Sequence, residues 1–227
     1  MHMQCVILAA GRGTRMGELT NEVPKPMLKV NGKTLLEYKL EQLPQDIDEV
    51  IFVVGYLGDK IKEFFGDSWG GRSIKYVVQP ELNGTGGAIH CARPLLKGKF
   101  VVMMGDDLYV LPDIENCIKK NWAILVQKSL STMRAGRVEV DNKGCLKGIT
   151  EGADLMPGDL VNTAMYVLGM EFFDYPLIQI PGKEEFGLPQ TLVSMASKYP
   201  IELVEAIYWH QMTTPQDLIM AEMFIKK

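Results

Sequence analysis

The chain has 227 residues, 47% of them apolar, and a formal net charge of −4, which suits one sizeable globular α/β domain and is short for two independent cores. The acidic balance tells against general nucleic-acid binding, which needs surplus Lys and Arg to neutralise phosphates, so any anion-binding site has to be local. No apolar stretch approaches the roughly 20 residues that span a bilayer, and the start lacks the basic, apolar and small-residue pattern of a secretory leader.

Met3 to Leu8 is an apolar run ending in Ala9-Ala10-Gly11, the form of a parallel strand buried on both faces. Met1 and His2, ahead of it, are given no role. Thr34-Leu35-Leu36-Glu37 is a capping-box pattern that opens a helix bearing Leu36, Leu40 and Leu43 at helical spacing until Pro44 stops it. The pattern then predicts a strand over Val50 to Val54, a helix over Gly58 to Phe65 and a strand over Ile74 to Gln79. Gly84, Gly86 and Gly87 lead into a further helix, and Phe100 to Met104 is another buried strand, ending at Gly105-Asp106-Asp107. Beyond about residue 121 the rhythm changes to strands joined by turns, at Ala123 to Gln127, Arg137 to Val140, Cys145 to Thr150 and Val161 to Leu168. Leu188, Leu192, Met195 and Ala196 mark one helix stripe, Ile201 to Ala206 returns to the sheet, and Thr214-Pro215 with Asp217 opens a last helix.

Strands alternating with helices imply a Rossmann-like mixed, mainly parallel α/β sheet with helices on both faces, binding its ligands at the carboxyl ends of the strands. The expected organisation is a single domain over 1–227, with residues 1 to about 120 holding a nucleotide and about 121 to 227 an acceptor. Cys5, Cys91, Cys117 and Cys145 show neither a CxxC pair nor zinc spacing, as expected of reduced thiols in a cytoplasmic protein. His90 and His210 have no evident partner for acid–base work, and the 14 methionines read as adaptable packing.

The segment Gly11-Arg12-Gly13-Thr14-Arg15-Met16-Gly17 follows the first strand as a loose glycine turn. A dinucleotide fold would enter a helix at once and place an acid at the end of the second strand. Here Pro24-Lys25-Pro26 follows instead, and the second strand ends in Val54-Gly55-Tyr56. The stretch is better read as a phosphate-wrapping loop: glycines admit phosphate oxygens to backbone N–H groups, Arg15 neutralises them, and the prolines fix the direction of Lys25.

Gly11-x-Gly13-Thr14-Arg15 with Pro24-Lys25-Pro26-Met27 resembles the signature of the sugar-1-phosphate nucleotidyltransferase family. Further likeness runs through Gln79, Gly84-Thr85-Gly86-Gly87-Ala88, Gly105-Asp106, Gly148-Ile149-Thr150-Glu151 and Val161-Asn162-Thr163-Ala164-Met165-Tyr166-Val167 to the stretch from Trp209 to Leu218. The resemblance implies transfer of a nucleoside monophosphate from a nucleoside triphosphate to a sugar 1-phosphate, with release of pyrophosphate. It assigns Arg15 to the leaving pyrophosphate, Lys25 to the α-phosphate and incoming sugar phosphate, and Asp106 to Mg²⁺. Leu8, Ala9, Ala10, Gly11, Gly13, Thr14, Gln79, Gly84 and Thr85 would hold the nucleotide, with UTP or dTTP favoured. Gly136, Glu151 and Asn162 would contact the sugar phosphate. Asp107 is expected merely to start a turn.

Two departures matter. Where many family members carry Glu-Lys-Pro this chain has Glu151-Gly152-Ala153, so Arg134 or Arg137 has to supply the missing cation; and Gln211 stands where a second metal-binding carboxylate is usual. Two alternatives stay open on these grounds: a cytidylyltransferase acting on a polyol, inositol or choline phosphate, and a non-catalytic nucleotide-sugar sensor. The expected partners are small phosphorylated substrates rather than nucleic acid or membrane, and a homo-oligomer is left open.

Overall fold

The computed structural model describes residues 3–225; Met1 and His2 lie outside the described residues. At the centre of a ten-stranded sheet is β1 (Met3–Ala9), every residue of which is buried. It pairs in parallel with β2 (Ile47–Val54) on one side and with β4 (Phe100–Met104) on the other, and β2 pairs in parallel with β3 (Arg72–Val78). The second half joins this core antiparallel. β5 (Ala123–Lys128) pairs with β8 (Leu160–Leu168), which itself pairs with β4; β6 (Met133–Val140) pairs with β7 (Leu146–Leu155) and β8; and β9 (Glu202–Glu205) lies parallel to β5.

The alternation of β1 side chains supplies two cores. Cys5, Ile7 and Ala9 face one side, against Leu36 and Leu40 of α1 (Leu35–Glu41), Ile61 and Phe65 of α2 (Gly58–Phe65) and Ile114 of α4 (Leu111–Ile118). Val6 and Leu8 face the other, against Ala88 and Ile89 of α3 (Thr85–Ala92) and Leu188 and Leu192 of α5 (Leu188–Met195). A strand buried on both faces reads as a near-continuous apolar run because neither set of alternate positions meets water; in β1 only Gln4 departs from it. Covering both faces is therefore legible in β1 alone.

The capping box at α1 forms as expected: the Glu37 N–H donates to Thr34 Oγ1 at 3.1 Å and the Thr34 N–H donates to Glu37 Oε2 at 2.7 Å. The glycine loop is more ordered than a bare loop. Residues Thr14–Thr20 form 3₁₀ turns broken at Gly17 (φ 60°, ψ −136°), and Lys25–Met27 forms another. Buried Met16 anchors the first of these in a small apolar cluster with Leu28, Leu35, Leu108 and Met212.

Three expectations need revision. The helix α4 was not anticipated, although Leu111, Ile114 and Ile118 keep helical spacing and Pro112 sits in its first turn. The third strand begins two residues earlier than read and ends one earlier, so Gln79 stands just past its end. Asp107 is not a solvated turn residue: it is 4% exposed, and its carboxylate accepts the indole N–H of Trp209 at 3.1 Å. That bond forms because a two-residue ribbon pairs Trp209 with Tyr109 and His210 with Leu108, folding the end of the chain back onto the β4 turn. Asp113 of α4 anchors the same return, accepting the N–H groups of Ile207 and Tyr208 at 2.9 and 3.2 Å. No helix among the described residues is long and apolar enough to cross a membrane, and the four cysteines are free.

Candidate functional site

The carboxyl ends of β1 and β4 are drawn together by two glycines. The N–H of Gly105 donates to Leu8 O at 2.9 Å, and a Cβ there would lie 2.9 Å from that oxygen and 3.1 Å from Pro26 Cγ. Gly13 has φ +65°, and a Cβ on it would lie 2.8 Å from Lys25 Cβ. The glycine turn thus crosses directly over the stem of Lys25, an approach that only a residue without a side chain allows. Held in this way, Lys25 is 7% exposed and its Nζ lies 2.5 Å from Asp106 Oδ2. Residues 81 positions apart are joined in a charge-assisted pair at the floor of a cavity.

The cavity has a volume of about 520 Å³. From the first half of the chain it is lined by Leu8, Arg15, Lys25, Thr85, Asp106 and Asp107, and from the second by Arg134, Gly136, Glu151, Asn162 and Lys183; Trp209 and Gln211 border it from the folded-back end of the chain. Nine of the sixteen residues assigned to substrates or metal from the sequence therefore meet in one space: Leu8, Arg15, Lys25, Thr85, Asp106, Gly136, Glu151, Asn162 and Gln211.

The other seven do not line it. Ala9 and Ala10 are buried, with Ala10 O close against Gly55 and accepting the N–H of Tyr56 at 3.1 Å. Gly11 and Thr14 are exposed, and Thr14 borders a separate depression of about 330 Å³ beside Arg12 and Tyr56. Gly13 serves the crossing over Lys25. Gly84 is covered by the segment that follows Glu185, and Gln79 is 6% exposed, its Nε2 donating to Asn83 Oδ1 and Gly84 O, each at 3.1 Å. Both amide hydrogens of Gln79 are spent on that turn, which leaves Oε1 as its remaining polar atom.

On the far wall, Gly136 makes room for the Glu151 carboxylate, whose oxygens would lie 3.2 and 3.3 Å from a Cβ at that position. Desolvation between the walls holds Glu151 above the ordinary carboxylate range, opposed by the charge of Lys183. Asn162 has a structural duty beside any contact with ligand. It accepts the Ala164 N–H at 2.9 Å and bonds the Tyr166 hydroxyl, where the pairing of β8 with β5 shifts register and Ala164 takes φ +57°. Of the two arginines considered for the missing cation, Arg134 lines the cavity and Arg137 does not. The Arg134 Nε–H donates to Gly152 O at 2.8 Å, and its guanidinium stands 3.7 Å from where a side chain at 152 would begin. Lys183, in the Pro181-Gly182 turn, carried no signal in the sequence, since a lone lysine beside a turn reads as a solvated charge.

Beneath the β4 turn lies a second ionic group. Lys39 of α1 is 2% exposed, donates from Nζ to the carbonyl of Asp107, and has Nζ 4.5 Å from the centre of the Tyr109 ring. Burial pushes the lysine down and Asp107 up, the latter reinforced by the neighbouring charge of Asp106.

The residues present suit a hard divalent cation in one arrangement. Mg²⁺ is usually held by one or two carboxylates, with waters and substrate phosphates completing six oxygens. Asp106, with Gln211 lining the same cavity, would meet that modest demand, and the ion pair with Lys25 engages Oδ2, leaving the second carboxylate oxygen its acceptor capacity. No group of three or more His, Cys, Asp or Glu side chains that could hold a metal occurs among the described residues, so a cage made wholly of protein ligands is not built here.

A mixed sheet with a parallel core that gathers Arg15, Lys25 and Asp106 around the ends of its central strands is an architecture for handling phosphates. Residues 4–227 match the family model described as nucleotidyl transferase, and the chain belongs to that family. It is 34% identical over 187 residues to the D-glycero-alpha-D-manno-heptose 1-phosphate guanylyltransferase of Campylobacter jejuni, a match covering 81% of this chain and 84% of that one. It is 27% identical over 227 residues to the bifunctional protein GlmU of Methanocaldococcus jannaschii, covering 98% of this chain and 54% of the other. The chain thus spans about half the length of the GlmU proteins it matches. The crystal structure of HddC from Yersinia pseudotuberculosis complexed with GMP-PN superposes with a TM-score of 0.75 at 23% identity, over 98% of this chain and 99% of that one, and so shares the fold.

Proposed function

We propose that this chain transfers a nucleoside monophosphate from a nucleoside triphosphate to a sugar 1-phosphate and releases pyrophosphate. The observation that carries the reading is the Lys25–Asp106 pair, 2.5 Å apart, at the junction between a wall bearing Arg15 and a wall bearing Arg134 and Lys183. Each of two polyanionic reactants then has cations of its own, and the pair lies where they meet. A phosphate oxygen of the acceptor forms a bond to the α-phosphorus as the bond from that phosphorus to the pyrophosphate oxygen breaks. The attacking oxygen is already an anion, so the reaction needs no general base. What it needs is in-line placement and relief of repulsion. Arg15 holds the departing pyrophosphate, Lys25 the α-phosphate as charge builds on it, and Glu151, Asn162 and the space at Gly136 receive the sugar. Asp106 and Gln211 would hold Mg²⁺, which when bound draws charge from the phosphate oxygens.

The state of Gln79 bears on the base. With its donors committed to Asn83 and Gly84, its Oε1 can only accept, which favours a base with a ring N–H on its Watson–Crick edge. Uracil, thymine and guanine have one; cytosine and adenine present an acceptor at that place. UTP or dTTP remains the first reading, and the likeness to a guanylyltransferase supports GTP as a second. A pyrophosphate-release matrix of the nucleoside triphosphates against sugar and polyol phosphates, with and without Mg²⁺, tests both. Turnover with UTP, dTTP or GTP and a sugar 1-phosphate is expected. Nucleotide-sugar binding without turnover in any cell of the matrix would establish the sensor reading instead.

Arg134 answers for the cation absent at Gly152. Arg134→Ala is expected to raise KM for the acceptor on the order of tenfold, the loss of one charge-assisted contact, while KM for the nucleotide stays within twofold. Equal rises in both constants would remove Arg134 from the acceptor side.

A further inference from the structure

Lys39 is the one fully buried lysine in the core of the described residues that the proposed reaction does not use. Nothing in its sequence setting marks it: it sits between Leu36 and Leu40 on a short amphipathic helix, where an apolar side chain would serve packing better. A buried ammonium is tolerated only where the structure compensates its charge. Here the compensation comes from one place. The groups facing Nζ are the carbonyl of Asp107, the face of the Tyr109 ring, and the negative charges of Asp106 and Asp107, with the Cys5 thiol of β1 behind. Two adjacent carboxylates on one turn repel each other. One of them, Asp107, faces inward to Trp209, which belongs to the same return that brings Gln211 to the cavity. The other, Asp106, meets Lys25; both border the cavity, Asp107 from a buried position at its edge.

We propose that Lys39 is a positioning residue for the 105–107 turn: from behind the cavity it anchors the Asp107 carbonyl and balances the inward carboxylate, so that Asp106 presents its charge to a divalent cation. The inference rests on the metal reading given above and adds to it a residue that touches neither substrate nor metal. It also explains why a buried acid and a buried lysine occur together on elements otherwise built of apolar side chains.

The test uses Mn²⁺ alone as the probe. Its paramagnetism broadens the indole N–H resonance of Trp209, assigned with Trp209→Phe, because that group is bonded to the residue next to Asp106. In the unaltered protein broadening is expected, and Asp106→Asn should abolish it. Lys39→Met, which fills the same volume without charge, should need at least about tenfold more Mn²⁺ for equal broadening, and its activity should show a matching rise in the Mg²⁺ required with KM for the acceptor unchanged. Lys39→Met combined with Asp107→Asn removes both buried charges and should recover much of the loss, a coupling that a purely space-filling lysine would not produce. Should Lys39→Met not fold, Lys39→Gln keeps a donor for the Asp107 carbonyl without the charge and is expected to weaken Mn²⁺ likewise. A folded, uncharged variant that binds Mn²⁺ as the unaltered protein does overturns the role of Lys39. Absence of broadening in the unaltered protein overturns the metal reading itself.

Discussion

Lys25→Met is expected to lower kcat by about 10²- to 10³-fold, some 3 to 4 kcal/mol of lost transition-state stabilisation, in a protein that still folds. The size follows from placement. A surface lysine beside a phosphate is screened by water and contributes little. Lys25 is 7% exposed, fixed between prolines, roofed by Gly13 and already facing Asp106, so its charge needs no reorganisation when a phosphate arrives. Methionine keeps the stem that packs beneath Gly13 and removes only the ammonium. Because Asp106 then loses its partner, Lys25→Met with Asp106→Asn should cost much less than the sum of the two separate losses. Steady-state kinetics beside thermal melts decide the matter: a fall in kcat of less than threefold with an intact melt would remove Lys25 from the chemistry.

Gly84→Ala is expected to be the most damaging single-methyl change in the first half of the chain. Gly84 sits at φ 96° and ψ 177°, a region essentially closed to other residues. An added Cβ would lie 2.4 Å from Phe186 O and 2.8 Å from Phe186 N. These are backbone atoms of a crossing segment, tied down by the Gly86 N–H donating to Phe186 O at 2.8 Å and the Phe186 N–H donating to Asn83 O at 2.7 Å. No rotamer change relieves that clash. Strain and parted hydrogen bonds together are expected to cost on the order of 3 kcal/mol, a fall in Tm of about 6 to 12 °C for a chain of this size. KM for the nucleotide should rise as well, since the same turn holds the amide of Gln79. Gly98→Ala is the control: open space surrounds that position, and its Tm should barely change. Equal melts for the two variants would show that the crossing segment yields.

The layered sheet was legible because burial on two faces and helical spacing are local patterns. The apolar run of β1, the Thr34–Glu37 capping box and Gly84 at the start of α3 each announce themselves within a few residues. The overlooked α4 had the same kind of signal, in Leu111, Ile114 and Ile118; the acidic and polar residues among them hid it, and one of these, Asp113, owes its place to the distant Ile207 and Tyr208 amides.

By itself the sequence determined the two-sided core and the strand-and-helix order apart from α4, because each rests on backbone preferences and hydrophobic periods that neighbouring residues carry. Only the tertiary structure decided what became of individual charges. It set Lys25 against Asp106 across 81 positions, turned Asp107 inward to Trp209, chose Arg134 over Arg137, drew in Lys183 and buried Lys39 under the same turn. The physical reason is that the state of a charged side chain depends on its local dielectric and on which opposite charge faces it. Both are created when distant segments close on one another, and no short stretch of sequence contains them.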